Sequence, residues 1–172
     1  MFSISNKDAV EFLGSIDTGP SSNYIITDPP YGNIDSPHYE GQLKDPVLSS
    51  AYMESFSSAC FLKATGTFLF CSLHQTEEWS NALRNAGYEY VRTGVWIKPN
   101  AYWVPTPYTG GALEGFVYAC KTRNDGTHSR IPAYVCSYGG HLKDGEEKHP
   151  FRKPVPLVRQ VIRDLNVRGK NI

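Results

Sequence analysis

Asp28-Pro29-Pro30-Tyr31 brings four groups that could do chemistry to one point of the chain. The tetrapeptide follows an apolar run, Tyr24-Ile25-Ile26-Thr27, which predicts a buried strand, and it leads into Gly32. A carboxylate, two rigid residues without N–H groups and an aromatic ring would then lie at the end of a strand. This combination favours a site for a flat, polar ring that carries an amino group, and a nucleobase fits that description.

Methylation of an exocyclic amino group is the chemistry that suits such a site. The lone pair of that nitrogen is conjugated into the ring and is a poor nucleophile. Asp28 and the Pro29 carbonyl could accept hydrogen bonds from its two N–H groups and thereby expose the lone pair. Tyr31 could stack on the ring, which would stabilise the bound base by about 1–3 kcal/mol. A base in a duplex would have to be flipped out to reach the site. An ordinary loop is the alternative, because Asp and Pro also punctuate turns.

Composition sets the outer limits. The chain has 172 residues, which suits one domain, and its 17 basic and 17 acidic residues cancel, so charge gives no global signature of nucleic-acid binding. Met1–Asp8 lacks the features of a signal peptide, and no apolar run approaches membrane-spanning length. The cysteines suit reduced thiols in a cytoplasmic protein, and with the nearby histidines they fit no zinc spacing: Cys60, Cys71, Cys120, Cys136, His128, His141, His149.

Hydrophobic periodicity predicts strands that alternate with helices, which indicates an α/β fold with a mostly parallel sheet and an antiparallel edge pair formed by the third and fourth strands. Residues 1–172 are expected to form a single domain, with 122–148 as a polar, irregular segment. The predicted helices are Ser5–Ile16, Ser50–Lys63, Thr76–Ala86 and Lys153–Leu165. The predicted strands are Tyr24–Thr27, Thr67–Cys71, Tyr88–Ile97 and Gly115–Cys120.

Several segments resemble, in order, the amino-methyltransferases that act on adenine N6 or cytosine N4 in DNA. These segments are Asp8–Leu13, Tyr24–Gly32, Leu62–Phe70, Val95–Asn100, Glu114–Lys121 and His149-Pro150-Phe151-Arg152-Lys153-Pro154. The resemblance implies a partial Rossmann-like, S-adenosylmethionine-dependent methyltransferase fold in the permuted β-type order. It implies enzymes of phage or restriction-modification origin, and Asp in the first motif position favours adenine over cytosine.

The resemblance also implies roles for individual residues. Asp28, Pro29, Pro30 and Tyr31 would be catalytic. Contacts to the cofactor, S-adenosylmethionine, would come from Asp8, Asp28, His149, Lys153 and Pro154. Contacts to the substrate would come from Tyr31, Lys98, Asn100, Tyr102, Trp103, Arg123 and Arg130, and 122–148 would be a short target-recognition segment. Asp8 could instead be an acid at a helix N-terminus that the helix dipole favours, and Lys153 could be a solvated lysine near a helix start.

One expected element does not occur in these 172 residues. The permuted class has a strand and a Gly-rich turn after the His-Pro-x-x-Lys-Pro helix, and the sequence here ends at Arg168–Ile172 with no Phe-x-Gly-x-Gly-like run. A second chain could supply it, or cofactor binding could be rudimentary, or the chain could be a catalytically incomplete nucleic-acid-binding subunit or remnant. A homodimer is a further possibility for its assembly. A further alternative retains the chemistry but uses RNA in place of DNA.

Overall fold

The computed structural model describes residues 5–17, 23–32, 47–99, 112–122, 133–137 and 153–165. Its elements run in the order α1 Ala9–Ser15, β1 Tyr24–Thr27, α2 Ser50–Lys63, β2 Gly66–Cys71, α3 Thr76–Asn85, β3 Tyr90–Ile97, β4 Leu113–Cys120, β5 Ala133–Val135 and α4 Val155–Asp164. A short 3-10 turn, Leu73–Gln75, precedes α3.

The strands form one sheet in the order β1-β2-β4-β3-β5. β1 is parallel to β2 and β5 is parallel to β3, whereas β4 is antiparallel to both of its neighbours. Four strands therefore share one direction, which confirms the mostly parallel sheet and the antiparallel pairing of β3 with β4. The position of that pair was predicted wrongly. β5 lies in the segment expected to be irregular, and it pairs outside β3, so the pair is not at the sheet edge.

Alternation along the strands separates two cores. One face of β2 and β4 packs on α1, α2 and α3 through residues that include Leu69, Val117 and Trp79. The other face packs on α4 through residues that include Phe68, Phe116 and Leu157. The sheet is thus covered by helices on both faces.

Of the four helices in the described ranges, two begin with a side-chain cap. Asp8 caps α1 by accepting from the Val10 amide at 2.9 Å, and Ser49 caps α2 by accepting from the Tyr52 amide at 3.2 Å. α3 has no side-chain cap, and the Thr76 hydroxyl donates back to the Leu73 carbonyl at 2.8 Å. The 3-10 turn before Thr76 makes that carbonyl available.

All four cysteines are free thiols, as the sequence predicted. None of the helices in the described ranges has the length and apolar character needed to cross a bilayer.

Close packing of the start of α3 on β4 depends on Gly115. A Cβ there would lie 2.7 Å from Thr76 Cγ2 and 3.2 Å from the Cys71 carbonyl oxygen, whereas a Cβ on Gly14, in α1, would meet nothing within 4 Å. We expect Gly115→Ala to lower the free energy of unfolding by about 1–3 kcal/mol through overpacking. Gly14→Ala, the matched control, should raise it by about 0.5–1 kcal/mol through helix propensity. Urea denaturation measures both, and equal effects would contradict the packing argument.

Candidate active site at the carboxyl ends of the parallel strands

Three sheet strands bring charged groups to one edge. Asp28 follows the carboxyl end of β1, and Lys98 follows the carboxyl end of β3. Because β4 runs in the opposite direction, its beginning lies at the same edge, with Glu114 opposite Trp96 in the β3–β4 register. Lys153, just before α4, reaches the same place from one face of the sheet. The carboxyl edge of an α/β sheet is where such folds place ligands.

Tyr31 joins three of these groups in a closed ring of polar contacts. The Tyr31 hydroxyl lies 2.8 Å from Asp28 Oδ1 and 2.5 Å from Glu114 Oε1. Lys153 Nζ lies 2.9 Å from the same Asp28 oxygen and 2.6 Å from the same Glu114 oxygen. Each carboxylate therefore offers a single oxygen to the same two partners.

Glu114 is the buried member of the ring. Its side chain is 10% exposed, and its second oxygen, Oε2, forms an ion pair with Lys98 Nζ at 2.8 Å. Burial by itself raises the pKa of this carboxyl, but the positive charges of Lys153 and Lys98 outweigh it and hold the pKa below the usual value. Lys98 Nζ also lies 4.6 Å from the centroid of the Trp96 ring, a cation–π distance. Glu114 is accordingly ionised and paired on both oxygens.

Tyr31 is held from several sides. Burial and then the charges of Glu114 and Asp28 raise the pKa of its hydroxyl, so the phenol stays neutral. Lys153 Nζ lies 5.1 Å from the ring centroid. The Gln75 amide donates to the Tyr31 carbonyl at 3.1 Å and thereby fixes the backbone of the motif. The hydroxyl of this tyrosine thus points into the ring of contacts.

Gly32 makes the turn after the motif possible. Its φ is +69°, and a Cβ there would lie 2.9 Å from Val47 Cα. A side chain at this position would be strained in conformation and would collide with backbone. The glycine that follows the tetrapeptide therefore sets where the motif packs.

Asp28 is the accessible member of the ring. Its side chain is 38% exposed, against 11% for Lys153. Among the described residues, both partners of Asp28 contact Oδ1, which leaves Oδ2 without a protein donor. One half of the carboxylate is anchored and the other half can accept hydrogen bonds from a ligand.

The predicted cofactor contacts have internal partners in this structure. Asp8 caps α1 and accepts from the Tyr52 hydroxyl at 3.0 Å, and that bond is the main cause that lowers the pKa of Asp8. Lys153 pairs with the two carboxylates of the ring, and Pro154 is buried at the start of α4. Pro29 and Pro30 are half-buried beside Asp28.

Six predicted contacts lie outside the described residues: Asn100, Tyr102, Trp103, Arg123, Arg130 and His149. Most of the expected recognition segment, 122–148, lies outside them as well, apart from Thr122 and 133–137. Within the described ranges no group of three or more His, Cys, Asp or Glu side chains could hold a metal ion.

Two residues of the site were not predicted. Glu114 had a sequence signal, because it is a charged residue beside the apolar run of a predicted buried strand, and such a charge is almost never buried unless paired. Gln75 had none, since a polar residue just before a helix is ordinary. Lys98, predicted to contact substrate, is placed at the site and paired with Glu114.

Comparison with solved structures gives the same fold. The chain is similar to M1.HpyAVI in complex with SAM, at 15% identity and a TM-score of 0.55, over 83% of this chain and 64% of that one. It is also similar to M1.HpyAVI, at 16% identity and a TM-score of 0.57, over 94% of this chain and 74% of that one. A third similar structure is PvuII DNA methyltransferase, described as cytosine-N4-specific, at 17% identity and a TM-score of 0.61, over 92% of this chain and 68% of that one.

These similarities establish the fold. No family model matches the chain, and no curated protein matches it in sequence. The chain spans less than two thirds of the length of the first of these structures. It shares the mixed α/β, Rossmann-like fold of these structures, as the resemblance implied.

Proposed function

We propose that this chain is the amine-binding part of an S-adenosylmethionine-dependent methyltransferase that acts on the exocyclic N6 amine of adenine in DNA. The observation that carries the proposal is the state of Asp28. This carboxylate sits at the carboxyl end of β1 with Oδ1 held by the ion pair with Lys153 and close to the Tyr31 hydroxyl, and no donor from the described residues contacts Oδ2. A fixed acceptor with one open oxygen is what an amine donor needs for orientation.

Asp28 and Pro29 would activate the amine. Asp28 Oδ2 accepts a hydrogen bond from one N–H group of the amine, and the Pro29 carbonyl accepts one from the other. The nitrogen then becomes more tetrahedral and its lone pair is exposed. The cofactor, when bound, supplies a methyl group on a positively charged sulfur. As the nitrogen gains the methyl group it must lose one proton, which Asp28 Oδ2 would take and pass to solvent.

Tyr31 and Lys98 would complete the base site. Tyr31 keeps the stacking role implied by the motif, with its hydroxyl fixed by Glu114 and with Lys153 against one face of its ring. Lys98 forms an ion pair with Glu114, which in turn contacts the Tyr31 hydroxyl. Asn100, Tyr102, Trp103, Arg123 and Arg130 are proposed as further contacts to the flipped base and the strand.

Adenine is favoured over cytosine by the residue type at position 28. With Asp in its first position, the motif resembles that of adenine-N6 enzymes. The motif of cytosine-N4 enzymes typically has Ser in that position. PvuII DNA methyltransferase, which shares the fold, is described as cytosine-N4-specific, so both bases belong in the test.

The cofactor half of the site is less complete in these residues. Lys153 has two carboxylate partners at 2.9 Å or less, and Asp8 is engaged by Tyr52 and its own helix, so both side chains already have partners within the chain. We propose that Pro154 and His149 contribute at its border. Further contacts to the cofactor would come from a Gly-rich turn, which is not among these 172 residues.

Two measurements on this chain test the proposal. Calorimetry with S-adenosylmethionine is expected to give micromolar binding, and radiolabelled methyl groups are expected to appear on duplex DNA as N6-methyladenine. Incorporation as N4-methylcytosine would contradict the base assignment, and incorporation into single-stranded RNA alone would contradict DNA as substrate.

A binding protein without catalysis is the second candidate. The internal pairing of Lys153 and Asp8 favours it, because the amine site is formed while these two predicted cofactor contacts are engaged within the chain. This candidate predicts DNA binding with no S-adenosylmethionine binding in calorimetry. Addition of a fragment that carries the Gly-rich turn should then restore methyl transfer if the chain is one subunit of a split enzyme.

A further inference from the structure

We propose that Glu114 is a positioning residue for the reaction, which keeps Asp28 available to the substrate amine by drawing the Tyr31 hydroxyl proton and part of the Lys153 charge onto itself. This inference rests on the proposed function, since it assigns a role to a residue beyond the tetrapeptide motif. Its basis is the ring of contacts in which two carboxylate oxygens face the same two donors.

The Tyr31 hydroxyl has one proton, and two carboxylates of the described part of the chain lie beside it. A phenol donates a single hydrogen bond, and an ionised carboxylate only accepts. The distance to Glu114 Oε1 is 2.5 Å and the distance to Asp28 Oδ1 is 2.8 Å. Charge-assisted O–H···O bonds are about 2.5–2.7 Å long, so the proton lies on the bond to Glu114. The hydroxyl therefore does not consume acceptor capacity of Asp28.

Lys153 shows the same preference. Its Nζ is 2.6 Å from Glu114 and 2.9 Å from Asp28. The ammonium group is shared, with the closer contact to the buried carboxylate. Glu114 can take this role at low cost because Lys98 neutralises its other oxygen at 2.8 Å. Among the described residues, two ammonium groups and two carboxylates then balance at the site.

Loss of the Glu114 charge would redirect both donors. The Tyr31 proton would turn to Asp28, and Lys153 would pair with Asp28 alone. Asp28 would then carry two strong hydrogen bonds at Oδ1, which makes the whole carboxylate a weaker acceptor at Oδ2. Activation of the amine should fall, while the base still enters the same pocket.

A double-mutant comparison tests this role. Glu114→Gln keeps the size of the side chain and removes its charge. We expect it to lower the rate of methyl transfer at saturating DNA by about 10-fold or more, with little change in the KM for DNA. In a Tyr31→Phe background, where no hydroxyl proton exists to be redirected, we expect the same substitution to cost less than about 3-fold.

A matched set guards against a folding defect. The comparison is repeated in a Lys98→Met background, where Glu114→Gln removes one negative charge from a site that has lost one positive charge. We expect the loss of rate to persist there, because the Tyr31 proton is still redirected to Asp28. Circular dichroism melting confirms that each variant is folded at the assay temperature.

The outcomes separate the two proposals. Equal losses from Glu114→Gln in the wild-type and Tyr31→Phe backgrounds, with an active wild-type chain, would overturn the role of Glu114 and leave the proposed function standing. A loss that appears only as a higher KM for DNA would overturn it as well. No methyl transfer by the wild-type chain to DNA or RNA, with or without a fragment that carries the Gly-rich turn, would overturn the proposed function and this inference together.

Discussion

Asp28→Asn is expected to reduce methyl transfer by about 10³-fold while leaving the fold intact. Asparagine has the same shape but one acceptor and one donor group. The Asp28 carboxylate faces Lys153 on Oδ1 and, in our proposal, the substrate amine on Oδ2, and both of these partners are donors. In the variant, one of the two donors must face the amide NH₂. If the amide oxygen turns to Lys153, the amine meets a donor and is no longer activated.

Single-turnover incorporation of radiolabelled methyl groups measures this effect. Asp17→Asn is the control, because it removes an exposed carboxylate in the described part of the chain without touching the site. S-Adenosylmethionine affinity should be similar in both variants. An Asp28→Asn variant that retains activity within about 3-fold of the wild type would show that Asp28 does not orient the amine.

The local part of this site could be predicted from the sequence. A buried strand that ends in Asp-Pro-Pro-Tyr-Gly identifies its own position, because apolar run, turn residues and functional groups are neighbours in the chain. β1 was predicted with the bounds that the structure has, and so was α2. Hydrophobic patterns that extend over a few neighbouring residues are enough to predict such elements.

The remaining part depends on contacts between distant residues. Tyr31 and Glu114 are 83 positions apart, and their contact exists because β4 runs against β2 and β3. Periodicity predicts strands but not their neighbours, so the strand order and the pairing of Lys153 with Asp28 were outside its reach. β5 has three residues within a polar segment, which is too short for a period to be detected.

Glu114→Met is expected to lower the free energy of unfolding by about 3–5 kcal/mol, the usual cost of removing one partner from a buried ion pair. Lys98 and Lys153 are each 11% exposed and would lose a carboxylate at 2.8 Å or less. Methionine fills a similar volume, so the effect comes from charge more than from a cavity. The double variant Glu114→Met with Lys98→Met should be more stable than the single one, because the remaining Lys153 and Asp28 charges balance.

Measured by urea denaturation across pH, the effect of Glu114→Met should also disappear in acid. Burial raises the Glu114 pKa, yet Lys153 and Lys98 lower it further, so the folded value lies below the unfolded one. A carboxyl with a depressed pKa stabilises the fold at pH values above its unfolded pKa, and this contribution is lost as the pH falls through the folded value. The difference in unfolding free energy between wild type and Glu114→Met should therefore be largest near neutral pH and shrink below the ordinary glutamate range of about 4. A difference that is independent of pH would mean that the lost packing of the side chain, and not its charge between the two lysines, accounts for its contribution to stability.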